Sequence, residues 1–244
     1  MPDLLTVEGL GAGYGAVQVL REVALTLGPG EGLAVLGRNG AGKTSTLRTL
    51  MGLWTASAGT VSFKGEDITK HATPDIAARG IAYVPETMGI FGELSVAENL
   101  LLAARSARRL ADLDAKRLAW LFGLFPALKT FWAHPAGKLS GGQKQMLAIA
   151  RALIEPRELL VIDEPSKGLA PAIVANMIAA LRELKGTATT VLLVEQNFRV
   201  ATELGDRVAV MDDGRIVHHG AMRELIEDSA LQQRLLGLSL AAHQ

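Results

Sequence analysis

The spacing of hydrophobic residues changes along the chain and divides it into strand-rich and helical parts. Short apolar or alternating runs predict strands at residues 4–7, 19–27, 32–36 and 60–63, because alternate side chains of a strand face opposite sides. Residues 43–53 have helical character instead. The first part of the chain is therefore predicted to be rich in strands, with one helix after the third run.

The middle of the chain has a different pattern, in which apolar residues recur at helical spacing. This pattern runs from residue 95 to about residue 124 and predicts an all-helical insertion that continues to about Ala136. Helices and strands alternate afterwards, which is typical of a parallel sheet. The predicted elements are a helix at 142–154, a strand at 159–162, a helix at 172–184, and strands at 190–194, 207–211 and 215–219. The sequence thus predicts an α/β core interrupted by a helical subdomain.

The composition argues against several classes of protein. The 244 residues include 25 Lys and Arg and 25 Asp and Glu, a formal net charge of zero, whereas proteins that coat nucleic acid have a basic excess. The chain has no cysteine, which excludes disulfide frameworks and cysteine nucleophiles. No apolar run reaches the roughly 18–20 residues that span a bilayer. If the protein acts at a membrane, we therefore expect it to do so through a partner protein.

Residues 37–44, Gly-Arg-Asn-Gly-Ala-Gly-Lys-Thr, match the phosphate-loop pattern G-x-x-x-x-G-K-[ST] in full. Backbone N–H groups of such a loop wrap a phosphate, and the following helix directs its positive end at the same anion. Lys43 is expected to reach the β- and γ-phosphates, and Thr44 to ligate Mg²⁺. The residues predicted to bind nucleotide here are Gly37, Arg38, Asn39, Gly40, Ala41, Gly42, Lys43 and Thr44.

A second glycine-rich segment, residues 11–16, can be forced onto the dinucleotide pattern G-x-G-x-x-A. That interpretation fails because the next residues predict a strand and not a helix. A tight turn is predicted instead, which would place Tyr14 near the phosphate loop. Its ring could stack on a nucleobase, and the alternative is a tyrosine on the surface of a turn.

Asp163 and Glu164 follow the predicted strand at 159–162. Residues at the carboxyl ends of parallel strands face the ligand crevice. Asp163 is placed to hold the Mg²⁺ shell, and Glu164 to accept a proton from an attacking water. The alternative is an ordinary solvated acidic turn.

Residues 139–143, Leu-Ser-Gly-Gly-Gln, start another helix, which Ser140 can cap. Its N-terminus offers a second anion site far from the first in sequence. One nucleotide needs only one phosphate-binding site, so a second site suggests a phosphate supplied by another subunit. A capped helix without a ligand is the alternative.

In chain order the segments are Tyr14, residues 37–44, the loop at Glu86, residues 139–143 and the pair Asp163 and Glu164. Together they make the chain similar to the ATP-binding subunits of ABC transporters. The resemblance implies a P-loop NTPase core with an N-terminal antiparallel β part, at residues 1–86 and 157–244, and a helical subdomain at about 87–156 within a single domain 1–244. It implies two ATP molecules, with Mg²⁺, in a head-to-tail dimer, each between residues 37–45 of one subunit, including Ser45, and residues 140–143 of the other. Tyr14 would stack on adenine, and the residues expected to bind ATP in trans are Ser140, Gly141, Gly142 and Gln143.

Three positions depart from the usual family pattern. Glu86 stands where Gln is usual, and Ala170 where Asp is usual. Gln196 stands where the family usually has the His of the switch after the last core strand, and we call it the switch residue. With Glu-Pro-Ser-x-Gly-Leu-Ala-Pro and Val-Glu-Gln-Asn, this set resembles branched-chain amino acid importers and the related urea and short-amide importers. Residues 87–89, Thr-Met-Gly, fit that group less well, and they lie near the expected contact with the membrane partner.

The resemblance also assigns chemistry to these positions. Mg²⁺ would be held by Thr44, Glu86 and Asp163, and the catalytic residues would be Glu164 and Gln196. An amide can donate a hydrogen bond to the γ-phosphate but cannot relay a proton at neutral pH, so the general base would be Glu164.

The expected partners are a second ATPase subunit, identical or paralogous, integral membrane permease subunits and, indirectly, a solute-binding protein, with no nucleic acid. The protein would be cytoplasmic and peripheral on the inner face of the cell membrane. One alternative is a soluble non-transport ATPase of the same superfamily, which usually has a coiled-coil insertion or two cassettes. A P-loop kinase or GTPase would leave residues 139–143 unexplained.

Overall fold

Two β-sheets organise the protein, as seen in a computed structural model that describes residues 2–15, 17–187 and 189–237. The first sheet is antiparallel, in the order β2-β1-β4-β5, and the second has the order β10-β9-β3-β8-β7-β6. All neighbours in the second sheet are parallel except β9 and β10. The strands are β1 (Leu5–Tyr14), β2 (Val17–Leu27), β3 (Gly32–Leu36), β4 (Ala56–Phe63), β5 (Glu66–Asp67), β6 (Ile81–Val84), β7 (Leu159–Asp163), β8 (Thr190–Glu195), β9 (Arg207–Asp212) and β10 (Arg215–Ala221).

Helices cover the second sheet and fill the interval between β6 and β7. They are α1 (Lys43–Leu50), α2 (Thr73–Ala78), α3 (Val96–Ala103), α4 (Ala115–Leu124), α5 (Pro126–Thr130), α6 (Gly141–Leu153), α7 (Pro171–Lys185), α8 (Phe198–Leu204), α9 (Met222–Glu227) and α10 (Ser229–Leu236). Every residue of β3, β7 and β8 is buried, because parallel strands of this kind are covered on both faces. Their continuous apolar runs follow from that position.

The interval between β6 and β7 contains only helices, as predicted. Short 3₁₀ turns at Leu110–Asp112 and Ala136–Lys138 interrupt them, so the apolar spacing after residue 95 belongs to several short helices. Leu100, Leu121 and Leu147 are among the residues buried between these helices and the sheet. The predicted P-loop NTPase architecture, with an antiparallel β part and a helical insertion, is confirmed.

The glycine-rich segment 11–16 is a strand for most of its length, because β1 continues to Tyr14, and the predicted tight turn is found at Gly15. Gly11 pairs with β4, Ala12 with both β2 and β4, and Gly13 and Tyr14 with β2. A Cβ at Gly13 would collide with the carbonyl of Val17. Tyr14 remains at the end of the strand and is 80% exposed. Ala16, the last residue of the rejected dinucleotide pattern, lies outside the described residues.

Several element boundaries also differ from the prediction, most of all the end of α1 and the start of β4. α1 ends at Leu50 and not at residue 53, since Gly52 has a φ of +68° that continues no right-handed helix. β4 begins at Ala56, before the predicted residue 60, because Ala56 pairs with Ala12 of β1. None of the described helices has the length and apolar character that crossing a bilayer requires.

Candidate functional site

The phosphate loop joins β3 to α1 and is tightly enclosed on one side. Gly42 has a φ of +106°, and a Cβ there would lie 3.0 Å from both Leu20 Cδ2 and Met211 Cε. A Cβ at Gly37 would collide with the carbonyl oxygen of Met211. Both positions therefore need glycine for reasons of conformation and space.

Lys43 is almost fully buried in this loop, at 4% exposure. Its Nζ donates to the carbonyl of Gly37 at 2.9 Å and to that of Arg38 at 3.1 Å. The ammonium group thus lies inside the ring of backbone that a phosphate would enter. Arg38, Asn39 and Gly40 are exposed at the mouth of the loop, while Thr44 and Ser45 are half-buried in the first turn of α1.

The turn between β9 and β10 supports the loop from below, which the sequence did not indicate. The backbone N–H of Gly214 donates to the carbonyl of Ala41 at 2.9 Å, and the carbonyl of Gly214 accepts from the N–H of Arg21 at 2.8 Å. Gly214 has a φ of +76°. The glycine of the Asp-Asp-Gly turn is visible in the sequence, but nothing there indicates that this turn contacts the phosphate loop.

Asp163 lies at the end of β7 and is fully buried. Its Oδ1 accepts a hydrogen bond from the Thr44 hydroxyl at 3.0 Å, and its Oδ2 accepts one from the Tyr83 hydroxyl at 3.3 Å. Burial raises the pKa of the Asp163 carboxyl, although the bond from Thr44 opposes the shift. Tyr83, on β6, was not singled out from the sequence.

Thr44 and Asp163 supply the hard oxygen donors that Mg²⁺ prefers. The described residues contain no group of three or more His, Cys, Asp or Glu side chains that could hold a metal ion by themselves. Mg²⁺ usually takes one or two protein ligands and completes its shell with water and phosphate oxygens, and Thr44 and Asp163 lie close enough together to be two such ligands. Glu86, the third predicted ligand, forms an ion pair with Lys167, and its charge also acts on the Asp163 carboxyl, so its place in the Mg²⁺ shell stays a prediction.

Glu164 has a backbone φ of +45°, a left-handed conformation that few side chains adopt. Its Oε1 lies 3.3 Å from Lys43 Nζ, and its Oε2 lies 3.4 Å from Lys167 Nζ. Burial raises the pKa of the Glu164 carboxyl, but the hydrogen bond from Gln196 and the two lysine charges outweigh it and leave the pKa below its ordinary value. The group is therefore ionised at neutral pH, as a proton acceptor must be.

Gln196 joins the acidic pair to the phosphate loop. Its Nε2 donates to Glu164 Oε1 at 2.7 Å and to Asn39 Oδ1 at 2.6 Å. It directly follows β8, which lies between β3 and β7 in the sheet. The carboxyl ends of three adjacent strands thus bring the predicted phosphate-binding, acidic and switch residues together.

The start of α6 is separate from this cluster. Ser140 and Gln143 form a reciprocal capping box, in which the Ser140 N–H donates to Gln143 Oε1 at 2.9 Å and the Gln143 N–H donates to Ser140 Oγ at 3.3 Å. Gly141 is exposed and Gly142 is buried against Ile173. Within the part of the chain that the structure describes, no hydrogen bond joins residues 140–143 to residues 37–45.

Comparisons with known proteins identify the family. The family model described as ABC transporter matches residues 20–167. The high-affinity branched-chain amino acid transport ATP-binding protein BraG of Pseudomonas aeruginosa is 36% identical, over 96% of this chain and 100% of its own. The probable branched-chain amino acid transport ATP-binding protein LivF of Archaeoglobus fulgidus is 35% identical, over 96% and 99%. The arginine transport ATP-binding protein ArtM of Bacillus subtilis is 34% identical, over 91% and 92%.

Solved structures agree with the sequence comparisons. An ATP-binding cassette of an ABC transporter in its ADP conformation matches with a TM-score of 0.81 and 26% identity, over 98% of this chain and all of its own. The structure of an ATP-binding subunit of an ABC transporter matches with a TM-score of 0.79 and 31% identity, over 98% and 96%. With its phosphate loop and carboxylates at one sheet edge, the chain belongs to the ABC transporter family, as an ATP-binding and ATP-hydrolysing subunit.

Proposed function

We propose that this subunit powers the import of a small solute, a branched-chain amino acid or a related amide or urea, through membrane permease subunits. The observation that carries the ATP-hydrolysing part of the proposal is the hydrogen-bonded set at the sheet edge, in which Gln196 joins Glu164 to the phosphate loop. The similarity to BraG and LivF over nearly the full chain favours branched-chain amino acids. ArtM, an arginine transport protein, is also similar, so arginine is the alternative solute that the experiment must distinguish.

The geometry supports the following roles at the site. Lys43 binds the β- and γ-phosphates, Glu164 accepts the proton of the attacking water, and Gln196 donates a hydrogen bond toward the γ-phosphate. Mg²⁺ would be held by Thr44, Asp163 and Glu86, and when bound it would neutralise phosphate charge. Tyr14, exposed at the end of β1, would stack on adenine.

The second half of each site would come from a partner subunit, identical or paralogous. The start of α6 exposes Ser140 and Gly141, and no bond ties it to the phosphate loop of its own chain within the described residues. A second copy in a head-to-tail arrangement would bring this helix start to the γ-phosphate. The division into a core at 1–86 and 157–244 and a helical subdomain at 87–156 stays a prediction, which the all-helical interval supports.

A cleft of about 450 Å³ between the core and the helices supports the link to the permease. It is lined by Leu53, Met88 and Arg151, among others, and Leu53 and the nearby Phe91 are each 51% exposed. Arg151 donates to the carbonyl of Gly89 and lies over the Phe91 ring. Residues 87–89 thus border the surface where a permease would dock, which would place the protein on the inner face of the membrane.

Uptake by cells lacking this subunit tests the proposal. Restoring the wild-type chain should restore uptake of labelled leucine, isoleucine or valine, or of urea or a short amide, and Lys43→Ala should not. Restoration of arginine uptake alone would replace the proposed solute class. ATP hydrolysis without any change in uptake would favour the soluble, non-transport alternative.

A further inference from the structure

Glu195 is a buried carboxylate next to the switch residue Gln196, and the roles described above do not use it. It is the last residue of β8 and is 2% exposed. No ion pair to Glu195 is found among residues 2–15, 17–187 and 189–237. A buried carboxylate without a cation must be stabilised by hydrogen-bond donors, and here the donors are backbone N–H groups.

The two oxygens of Glu195 bind two different segments of chain. Oε1 accepts from the N–H of Ser166 at 2.9 Å. Oε2 accepts from the N–H of Gln196 at 3.0 Å and from that of Asn197 at 3.1 Å. Ser166 is two residues beyond Glu164, so one carboxylate ties the loop after the proposed base to the switch.

We propose that Glu195 is a positioning residue that fixes the loop carrying Glu164 to the switch residue Gln196. The 2.7 Å hydrogen bond between Gln196 Nε2 and Glu164 Oε1 needs both segments in register. A side chain that accepts at both ends suits this place, because each end faces a backbone donor, and it adds to the bond that the Glu164 N–H donates to the carbonyl of Val194 at 2.9 Å. This inference rests on the proposed catalytic roles of Glu164 and Gln196.

Glu195→Gln separates this role from simple packing, since the amide has nearly the same shape but one end that donates. Whichever way the amide turns, its NH₂ group faces a backbone N–H and one of the two attachments is lost. Misplacement of catalytic groups by about 1 Å costs up to about 100-fold in rate. We expect kcat for ATP to fall about 10- to 100-fold, with KM and ATP affinity nearly unchanged.

Glu155→Gln is a control in the helical part, at a carboxylate whose Oε2 is also paired with Arg157 at 3.0 Å. Glu155 Oε1 also accepts two backbone bonds, from Arg105 at 2.6 Å and Ser106 at 3.0 Å. The experiment measures kcat, KM, ATP affinity and Tm for the wild-type chain and both variants. A loss of kcat in Glu195→Gln alone, at a Tm no lower than that of the control, supports the proposal.

Two results would overturn it. A kcat equal to that of the wild type excludes a positioning role, and a joint loss of kcat, ATP affinity and Tm shows a structural role only. Glu164→Gln, measured in parallel, reports on the proposed function separately. If Glu164→Gln keeps wild-type turnover, the catalytic assignment fails, whatever Glu195→Gln does.

Discussion

Glu164 is held in place by charge and strain together. It has a left-handed backbone and contacts two lysines and an amide. Glu164→Gln should bind ATP yet hydrolyse it about 10² to 10⁴ times more slowly, because the amide cannot take the proton of water. Phosphate release measures the rate, and gel filtration should show an ATP-bound dimer. The control is Glu158→Gln, at an exposed carboxylate paired with Lys64, which should hydrolyse ATP normally.

We expect Lys43 to bind phosphate and to stabilise Glu164, and one substitution tests both roles through two different measurements. Lys43→Ala should lose nucleotide affinity, since the β- and γ-phosphates lose their cation. The change also removes the buried one of the two lysines that contact Glu164 and leaves only the exposed Lys167, so the free protein should melt at a lower temperature. Nucleotide titration and thermal unfolding report the two effects. Lys64→Ala, on the surface, should change neither, and wild-type ATP affinity in Lys43→Ala would contradict the assigned contact.

Among the elements, the start of α6 offers a sharp test of the shared site. A Cβ at Gly141 would have Leu169 as its nearest neighbour, at 4.0 Å, whereas one at Gly142 would collide with Ile173 of α7. Gly141→Asp should therefore fold and bind ATP as a monomer, but fail to dimerise or hydrolyse, because its carboxylate would face a phosphate. Gly142→Asp would disturb the packing of α6 on α7 in its own chain and cannot report on the partner.

Gly141→Ala is the control for that variant and should keep dimerisation. Nucleotide titration and light scattering with ATP distinguish the outcomes. Loss of ATP binding by monomeric Gly141→Asp would mean that α6 belongs to the site of its own chain, against the shared-site proposal.

The elements also show where sequence patterns suffice. β7 and β8 were predicted to within one residue, because strands covered on both faces need continuous apolar runs. The four residues of β6 and the six of α2 are too short for a period to emerge. The phosphate loop could be predicted from the sequence because its function depends on residues that follow one another in the chain. The contacts of Gly214 and Glu195 join segments far apart in sequence, so only the folded chain reveals them.

At the scale of the whole molecule, we expect the cleft beside residues 87–89 to couple ATP hydrolysis to the membrane partner. Leu53→Ser changes an exposed side chain of that cleft, so the isolated subunit should still fold and bind ATP. Solute uptake should fall, because the permease loses apolar contact area. Val217→Ser, at an equally exposed residue of β10, is the control. Normal uptake with Leu53→Ser would move the docking surface elsewhere.

The support that Gly214 gives to the carbonyl of Ala41 sets an order of events during synthesis. β3, which leads into the phosphate loop, is flanked by β8 and β9, both from the end of the chain. A nascent chain on the ribosome therefore carries the complete phosphate-loop motif long before the loop can take its final shape. A polypeptide released by a premature stop before β9 would be unable to hold ATP. It could not compete with full-length subunits in an ATP-bound form.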